Sequence, residues 1–143
     1  MYNTYIYRFS MHSDEYGKLI AVEDNKVVPF LIKRIYYIFD VGNEIRRGFH
    51  SHIDLRQMLI CLHGSVKILT KTPYEEAIVE LNDPSKGLYI GPMVWREMFD
   101  FSTGAVLLVL ASEYYDESDY IRNYQEYASL AKDFLKQKEG ENK

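Results

Sequence analysis

This chain of 143 residues has one cysteine, one tryptophan, four prolines and little net charge of either sign. Each scarcity excludes something. A lone Cys61 cannot close an internal disulfide, and it fits the reducing cytoplasm. The longest apolar run, Ala105 to Ala111, is too short to cross a bilayer as a helix and suits a buried strand. The amino terminus, MYNTYIYRFS, has no basic stretch leading into an apolar core, so no secretory signal is expected. A net charge of −4, with acids and bases interspersed, argues against a nucleic-acid binder. The basic pairs Lys33-Arg34 and Arg46-Arg47 could serve a small anionic ligand, whereas a duplex would want more.

What is abundant is tyrosine, with 13 residues, which serves either as β-forming core filler or as the lining of a pocket. Short apolar or alternating runs recur between turn signals: TYIYRF, KLIAVED, Ile32 to Phe39 after Pro29, LRQMLICL, SVKILTK, AIVELND, GLYIGP and AVLLVLA. Their spacing predicts one antiparallel sandwich or barrel over residues 1–143, an all-β fold, rather than alternating strands and helices. LRQMLICL and SVKILTK, separated by the turn at His63-Gly64, are expected to form a hairpin. The pattern changes after Tyr115. Apolar residues at Tyr120, Ile121, Tyr124, Tyr127, Leu130, Ala131, Phe134 and Leu135 predict a C-terminal helix over 116–137, with Asp116 and Ser118 available as caps and a frayed end beyond it.

The chemistry-bearing stretch is RRGFHSHIDLRQMLICLHGS, residues 46–65. Residues two apart on a strand share a face, so His50 and His52 project together while Phe49 and Ser51 point away. Two convergent imidazoles serve either as metal ligands or as an acid/base pair. The run His50, His52, Gln57, Gly64 follows the first motif of the cupin superfamily, with glutamine in place of the glutamate ligand. GLYIGPMVWREM resembles the second cupin motif at Gly87 and Pro92, but Arg96 stands near the expected histidine. An amide is a weak ligand for transition metals, and an adjacent guanidinium repels a cation. No metal is therefore expected, and two neutral imidazoles are suited to moving protons.

Four blocks in order, PFLIKRIYYIFDV, RRGFHSHIDLRQMLICLHGSV, GLYIGPMVWREMFDFS and LASEYYDESDYIRNY, resemble the nucleotide-linked sugar 3,4-ketoisomerases, cupins acting on dTDP-4-keto-6-deoxyglucose. The resemblance spans about residues 18 to 130. One departure is Trp95-Arg96-Glu97-Met98-Phe99, where that family commonly reads Trp-His-Glu-Met-His. The resemblance implies a small jelly-roll barrel with a C-terminal helix. It also implies a cofactor-independent isomerase of deoxyamino-sugar pathways, and a homodimer that exchanges its N-terminal strands, here residues 1–10.

Moving a ketone from C4 to C3 requires a base near the sugar, a proton-transfer partner and a donor for the oxyanion. His50 is expected as the base and His52 as the second group, an order that the shared strand face leaves open. One of Tyr36 and Tyr37 should face the site, and the resemblance favours Tyr37. Arg47 would stabilise the enediolate or hold the pyrophosphate, Gln57 would orient a hydroxyl or a histidine, and Trp95 would stack on the base or sugar. His12, Cys61, His63 and Lys71 are read as structural or solvent-exposed. The alternatives are a metal-dependent cupin that uses Gln57 as a ligand, and a non-enzymatic sugar-binding module.

Overall fold

In the computed structural model, which describes residues 1–141, the recurring short runs become two facing antiparallel sheets. The strands are β1 (Thr4–Arg8), β2 (Met11–Asp14), β3 (Gly17–Ile20), β4 (Arg34–Phe39), β5 (Arg47–His52) and β6 (Gln57–His63). They continue with β7 (Val66–Lys71), β8 (Glu76–Leu81), β9 (Lys86–Ile90), β10 (Trp95–Phe99), β11 (Val106–Ala111) and the short β12 (Tyr120–Ile121). The first sheet runs β1-β9-β6-β11-β4 and the second β12-β5-β10-β7-β8, while β2 and β3 form a separate hairpin. This is the jelly-roll arrangement expected of the sequence.

The expected hairpin at His63-Gly64 does not form. β6 lies between β9 and β11 in the first sheet, and β7 lies between β10 and β8 in the second. The turn is real, but it carries the chain from one sheet to the other. Gly64 has φ +74°, and a Cβ there would sit 2.3 Å from Ser102 Oγ, so only glycine fits. Ser65 and Ser102 pin the corner: Ser65 N–H donates to Ser102 Oγ (2.8 Å), and Ser102 N–H donates to Ser65 O (2.9 Å). A turn signal reports that the chain reverses, not which sheet receives it.

Strand alternation sorts the side chains. Leu59 and Cys61 of β6, Leu88 and Ile90 of β9, Leu107 and Val109 of β11, Ile68 of β7 and Met98 of β10 fill the space between the sheets. The opposite face of the first sheet, with Met58, Ile60, Tyr89 and Leu110, is covered by Phe9, Val28 and Phe30. The opposite face of the second sheet is covered by α1 (Tyr124–Glu141) through Trp95, Ile121, Tyr127 and Ala131.

The helix begins at Tyr124, later than the expected 116. Asp116 caps only a single 3₁₀ turn, Glu117–Asp119, after which β12 pairs with β5. Asn123 is the cap of α1, its side-chain oxygen accepting from Glu126 N–H (2.9 Å). The apolar stripe that reads as one long helix is therefore split between a strand edge and a helix face. Residues 142–143 lie outside the described residues, so the expected fraying of the last residues is described only to Glu141, which is still helical.

Tyr127 ties α1 to the sheet. Its side chain is fully buried, and its hydroxyl lies 3.0 Å from both the Lys71 and Met93 carbonyl oxygens, donating to either. Tyr127→Phe leaves these carbonyls without that donor, and should lower unfolding stability by about 1–2 kcal/mol. Urea denaturation at neutral pH, with an unchanged slope, is the measurement.

Candidate functional site

The site begins with a bulge. β5 pairs with β10 through Arg96↔His50, then slips so that Glu97 faces Gly48 and Met98 faces Arg47. Phe49 is the extra residue, at φ +51°, and Gly48 adopts φ +99°. A Cβ on Gly48 would come within 3.1 Å of the Arg96 carbonyl oxygen, which explains glycine there. The insertion shifts the alternation by one. His50 and His52 face the interior, and Arg47, three residues before His50, joins them rather than pointing away. Arg47 and His50 line the same cavity of about 350 Å³.

Both imidazoles are held through Nδ1. His50 Nδ1 lies 3.0 Å from the Gly48 carbonyl oxygen; a carbonyl only accepts, so Nδ1 carries the proton and Nε2 a lone pair. His52 Nδ1 lies 3.0 Å from Asp119 Oδ2, and its Nε2 is buried with no partner among the described residues. The rings meet edge-on at a centroid distance of 4.9 Å. Tyr120 packs on both, at 5.1 Å from His50 and 4.3 Å from His52. Burial, reinforced by the Arg96 guanidinium, pulls His50 down to about 4. Burial, then Arg96 and His50, push His52 further below the usual histidine range despite its contact with Asp119. Both are therefore neutral at pH 7.

Behind the histidines a polar chain links the two sheets. Arg96 is 1% exposed; its Nη1–H donates to Gln57 Oε1 (2.5 Å) and its Nη2–H to the Val94 carbonyl (3.0 Å). Among the described residues no carboxylate pairs with it. Burial brings the guanidinium down to about 10, so it stays charged at neutral pH. The Gln57 amide in turn donates to the Tyr36 hydroxyl (2.9 Å), which leaves the phenolic proton free for another acceptor. The cupin ligand positions do not suit a metal here. Gln57 Oε1 is already engaged by Arg96, whose charge faces the histidines, and among the described residues no three His, Cys, Asp or Glu side chains gather.

Two expected site residues lie elsewhere. Tyr37 points outward from β4, 62% exposed and stacked on Phe39, because the interior face of β4 belongs to Arg34, Tyr36 and Ile38. Trp95 faces α1, its ring 5.2 Å from Tyr124 and 5.6 Å from Tyr127, with Nε1–H donating to Glu97 Oε2 (2.9 Å). It is a helix-anchoring residue, and Arg96, the next in the strand, takes the inward position. Arg47 and His50 line one cavity, His52 meets His50 edge-on, and Gln57 joins them only through Arg96 and Tyr36. Reading the sequence offers Arg34 only as half of a basic pair suited to a small anion, and does not single out Asp119 or Tyr120 for the site. Arg34, Tyr115 and Tyr120 border both the His50 cavity and a second one of about 590 Å³ beside His52 and Asp119.

The neutral histidines make a pH prediction. An unfolded histidine titrates near 6.5, so as pH falls from there to about 4 the unfolded chain binds protons that the folded one refuses. The histidine contribution to stability is thus fully present above about 6.5 and is lost as pH falls through that window. Urea midpoints between pH 7 and 4.5 should fall more steeply for the wild-type protein than for a His50→Asn, His52→Asn double variant.

Comparison with known proteins places this geometry in a family. The FdtA profile (WxcM-like, C-terminal) matches residues 2–132. A TDP-4-oxo-6-deoxy-alpha-D-glucose-3,4-oxoisomerase of Aneurinibacillus thermoaerophilus is 46% identical over 135 residues, 94% of this chain and 97% of the relative. Among solved structures, a histidine-to-asparagine variant of the 3,4-ketoisomerase QdtA from Thermoanaerobacterium thermosaccharolyticum, in complex with TDP-4-keto-6-deoxyglucose, is 60% identical. It superposes with a TM-score of 0.92 over 93% of this chain and 96% of that one. The WlaRB TDP-quinovose 3,4-ketoisomerase from Campylobacter jejuni is 48% identical with a TM-score of 0.87, over 90% of this chain and 99% of that one. The chain belongs to the FdtA family (WxcM-like, C-terminal) and, with these relatives, is an isomerase of the sugar 3,4-ketoisomerase kind.

Proposed function

We propose that this protein converts TDP-4-keto-6-deoxyglucose to a TDP-3-keto-6-deoxyhexose, without a cofactor, in the making of deoxyamino sugars. The observation that carries this reading is a pair of neutral imidazoles with unprotonated Nε2 atoms beside Tyr36 and Arg96, in a chain of this family. The C3 proton is acidified by the C4 carbonyl. His50, whose Nε2 is free, takes it as the electron pair moves toward O4 and an enediolate forms. The Tyr36 hydroxyl and the Arg96 guanidinium supply positive potential for the developing oxyanion. A proton delivered to C4, with the C3 hydroxyl proton removed and one returned to O4, leaves the ketone at C3 and a hydroxyl at C4; His52 is the second proton-transfer group. One C–H and one O–H bond break and one of each forms, so no electrons are lost or gained.

Arg34, Arg47 and Arg122 all border the His50 cavity, whose lining among the described residues includes no carboxylate; Glu117, outside that lining, engages Arg122. The set suits a pyrophosphate, which each guanidinium can meet with paired donors. Gln57 orients Arg96 and Tyr36 from behind the sugar.

The protein is proposed to act as a homodimer. The outer face of the first sheet exposes Ile35, Tyr37 and Phe39, and the β2–β3 hairpin exposes Met11 and Leu19, an apolar area suited to a second copy. β1 lies on β9 of its own chain, from Thr4↔Ile90 to Arg8↔Lys86, and the same ladder would accept a partner's β1 if the strands exchange. No helix among the described residues is long and apolar enough to cross a membrane, and the free thiol of Cys61 supports a cytoplasmic site of action.

Incubation with TDP-4-keto-6-deoxyglucose in deuterated water, followed by NMR, tests the reaction. A 3-keto product with deuterium at C4 is expected; an unchanged substrate would sink the assignment. His50→Asn should reduce kcat by about 10²–10⁴-fold with the fold intact, and Tyr36→Phe by at least about tenfold. Tyr37→Phe should leave kcat within about twofold, since that ring faces outward. The dimer is checked by light scattering: Ile35→Glu with Phe39→Glu should shift the mass toward the monomer.

A further inference from the structure

Asp119 ends the 3₁₀ turn and occupies a position that the reaction as described does not use. Its Oδ2 accepts from His52 Nδ1–H (3.0 Å) and from Leu55 N–H (3.3 Å), and its Oδ1 accepts from Asp54 N–H (2.9 Å). Its carbonyl accepts from Ile53 N–H (3.0 Å). One residue thus grips both the imidazole and the three backbone N–H groups that follow it in the chain.

The two histidines differ in what holds Nδ1. For His50 it is a neutral carbonyl, and for His52 it is a carboxylate. Both partners select the tautomer with Nε2 bare, but only the carboxylate adds a countercharge. That difference matters because the interior already holds the buried Arg96 guanidinium without a carboxylate of its own. A second cation in that space is costly unless a negative charge lies beside it. Asp119 is the carboxylate in contact with either imidazole.

We propose that Asp119 is the positioning residue of the isomerase: it fixes His52 in the Nδ1–H tautomer and stabilises the imidazolium formed when His52 carries a proton between sugar atoms. This rests on the proposed reaction for its second half only, since the tautomer is a property of the resting protein. In the resting protein His52 is the harder imidazole to protonate, and the carboxylate at its Nδ1 is what stabilises its transient protonation as a proton passes. The residue acts through His52 and does not itself exchange protons with the sugar.

The clasp on residues 53–55 offers a plainer role, a turn fastener, and the test must separate the two. Long-range ¹H–¹⁵N NMR of imidazole-labelled protein reads the tautomer without any substrate. The wild-type His52 should show a protonated Nδ1 and a bare Nε2, and a proton on Nε2 would overturn the proposal. Asp119→Ala should lose that preference, and kcat should fall about 10²–10⁴-fold with KM changed less than about threefold. Asp119→Asn keeps an oxygen able to accept from His52 but removes the charge, so kcat should fall about 10–100-fold with little change of tautomer. If the alanine variant does not fold, the asparagine variant decides, and a kcat within threefold of wild type in it defeats the proposal. Should the wild-type protein prove inert toward the nucleotide sugar, the proposed reaction fails while the tautomer still decides the role of Asp119 at His52.

Discussion

A buried guanidinium, paired with no carboxylate among the described residues, sets the terms for the rest of the site. Arg96 is held by an amide oxygen and a backbone carbonyl, both neutral, and its Nε finds no partner among the described residues. Its field, added to burial, keeps both imidazoles unprotonated at neutral pH, which makes them bases rather than cations. It also fixes Gln57, whose amide then directs the Tyr36 hydroxyl. The same charge that would repel a metal ion from this cupin interior would attract an enediolate. Two substitutions relative to the metal-binding pattern, Gln57 and Arg96, thus change which kind of electrophile the barrel can use, a metal ion or a fixed cation with a phenol.

The backbone supports this arrangement through one inserted residue. Without the bulge at Phe49, strict alternation along β5 would place Arg47 on the outer face, opposite His50 and His52. With it, an arginine and two histidines from six consecutive residues converge, and the Gly48 carbonyl comes within reach of His50 Nδ1. The backbone cost is concentrated in two left-handed residues, Gly48 and the non-glycine Phe49. Strain of this kind persists only where neighbouring ladders hold it, and here β10 and β12 flank the bulged strand on both sides.

What was legible in the sequence follows from how far each physical rule reaches. The period of two in His50-x-His52, and the spacing on to Gln57 and Gly64, identified three inward side chains and the jelly roll. The same period could not choose between Tyr36 and Tyr37, because the choice depends on which face of β4 lies inward beside β11. The expected stacking role of Trp95 meets a related difficulty, since its ring faces α1 while Arg96 beside it turns inward. Both are large enough to fill an interior position, and the aromatic went to the helix while the charge went to the cavity. Asp119 and Tyr120 were hidden because DESDYIRNY carries helical spacing but folds as a 3₁₀ turn and a strand edge. The bulge left no signal beyond Gly48, and the His63-Gly64 turn no sign of a change of sheet.

The tyrosines show how composition and site are connected. Tyr36 and Tyr120 face the histidines, Tyr127 and Tyr124 lock the helix onto Trp95, and Tyr5, Tyr7 and Tyr89 cluster on the far side of the first sheet. The two readings of their abundance, core filler and pocket lining, are both correct for different faces of the same sheets. A phenol suits each place because it packs like an apolar ring yet ends in a group that can donate. In the cavity that hydroxyl is free to meet an oxyanion; under the helix it is spent on backbone carbonyls, as at Tyr127. Burial alone therefore does not distinguish a reactive tyrosine from a structural one. What distinguishes them is whether the hydroxyl proton is already committed, and at Tyr36 the amide of Gln57 occupies the oxygen while leaving that proton available.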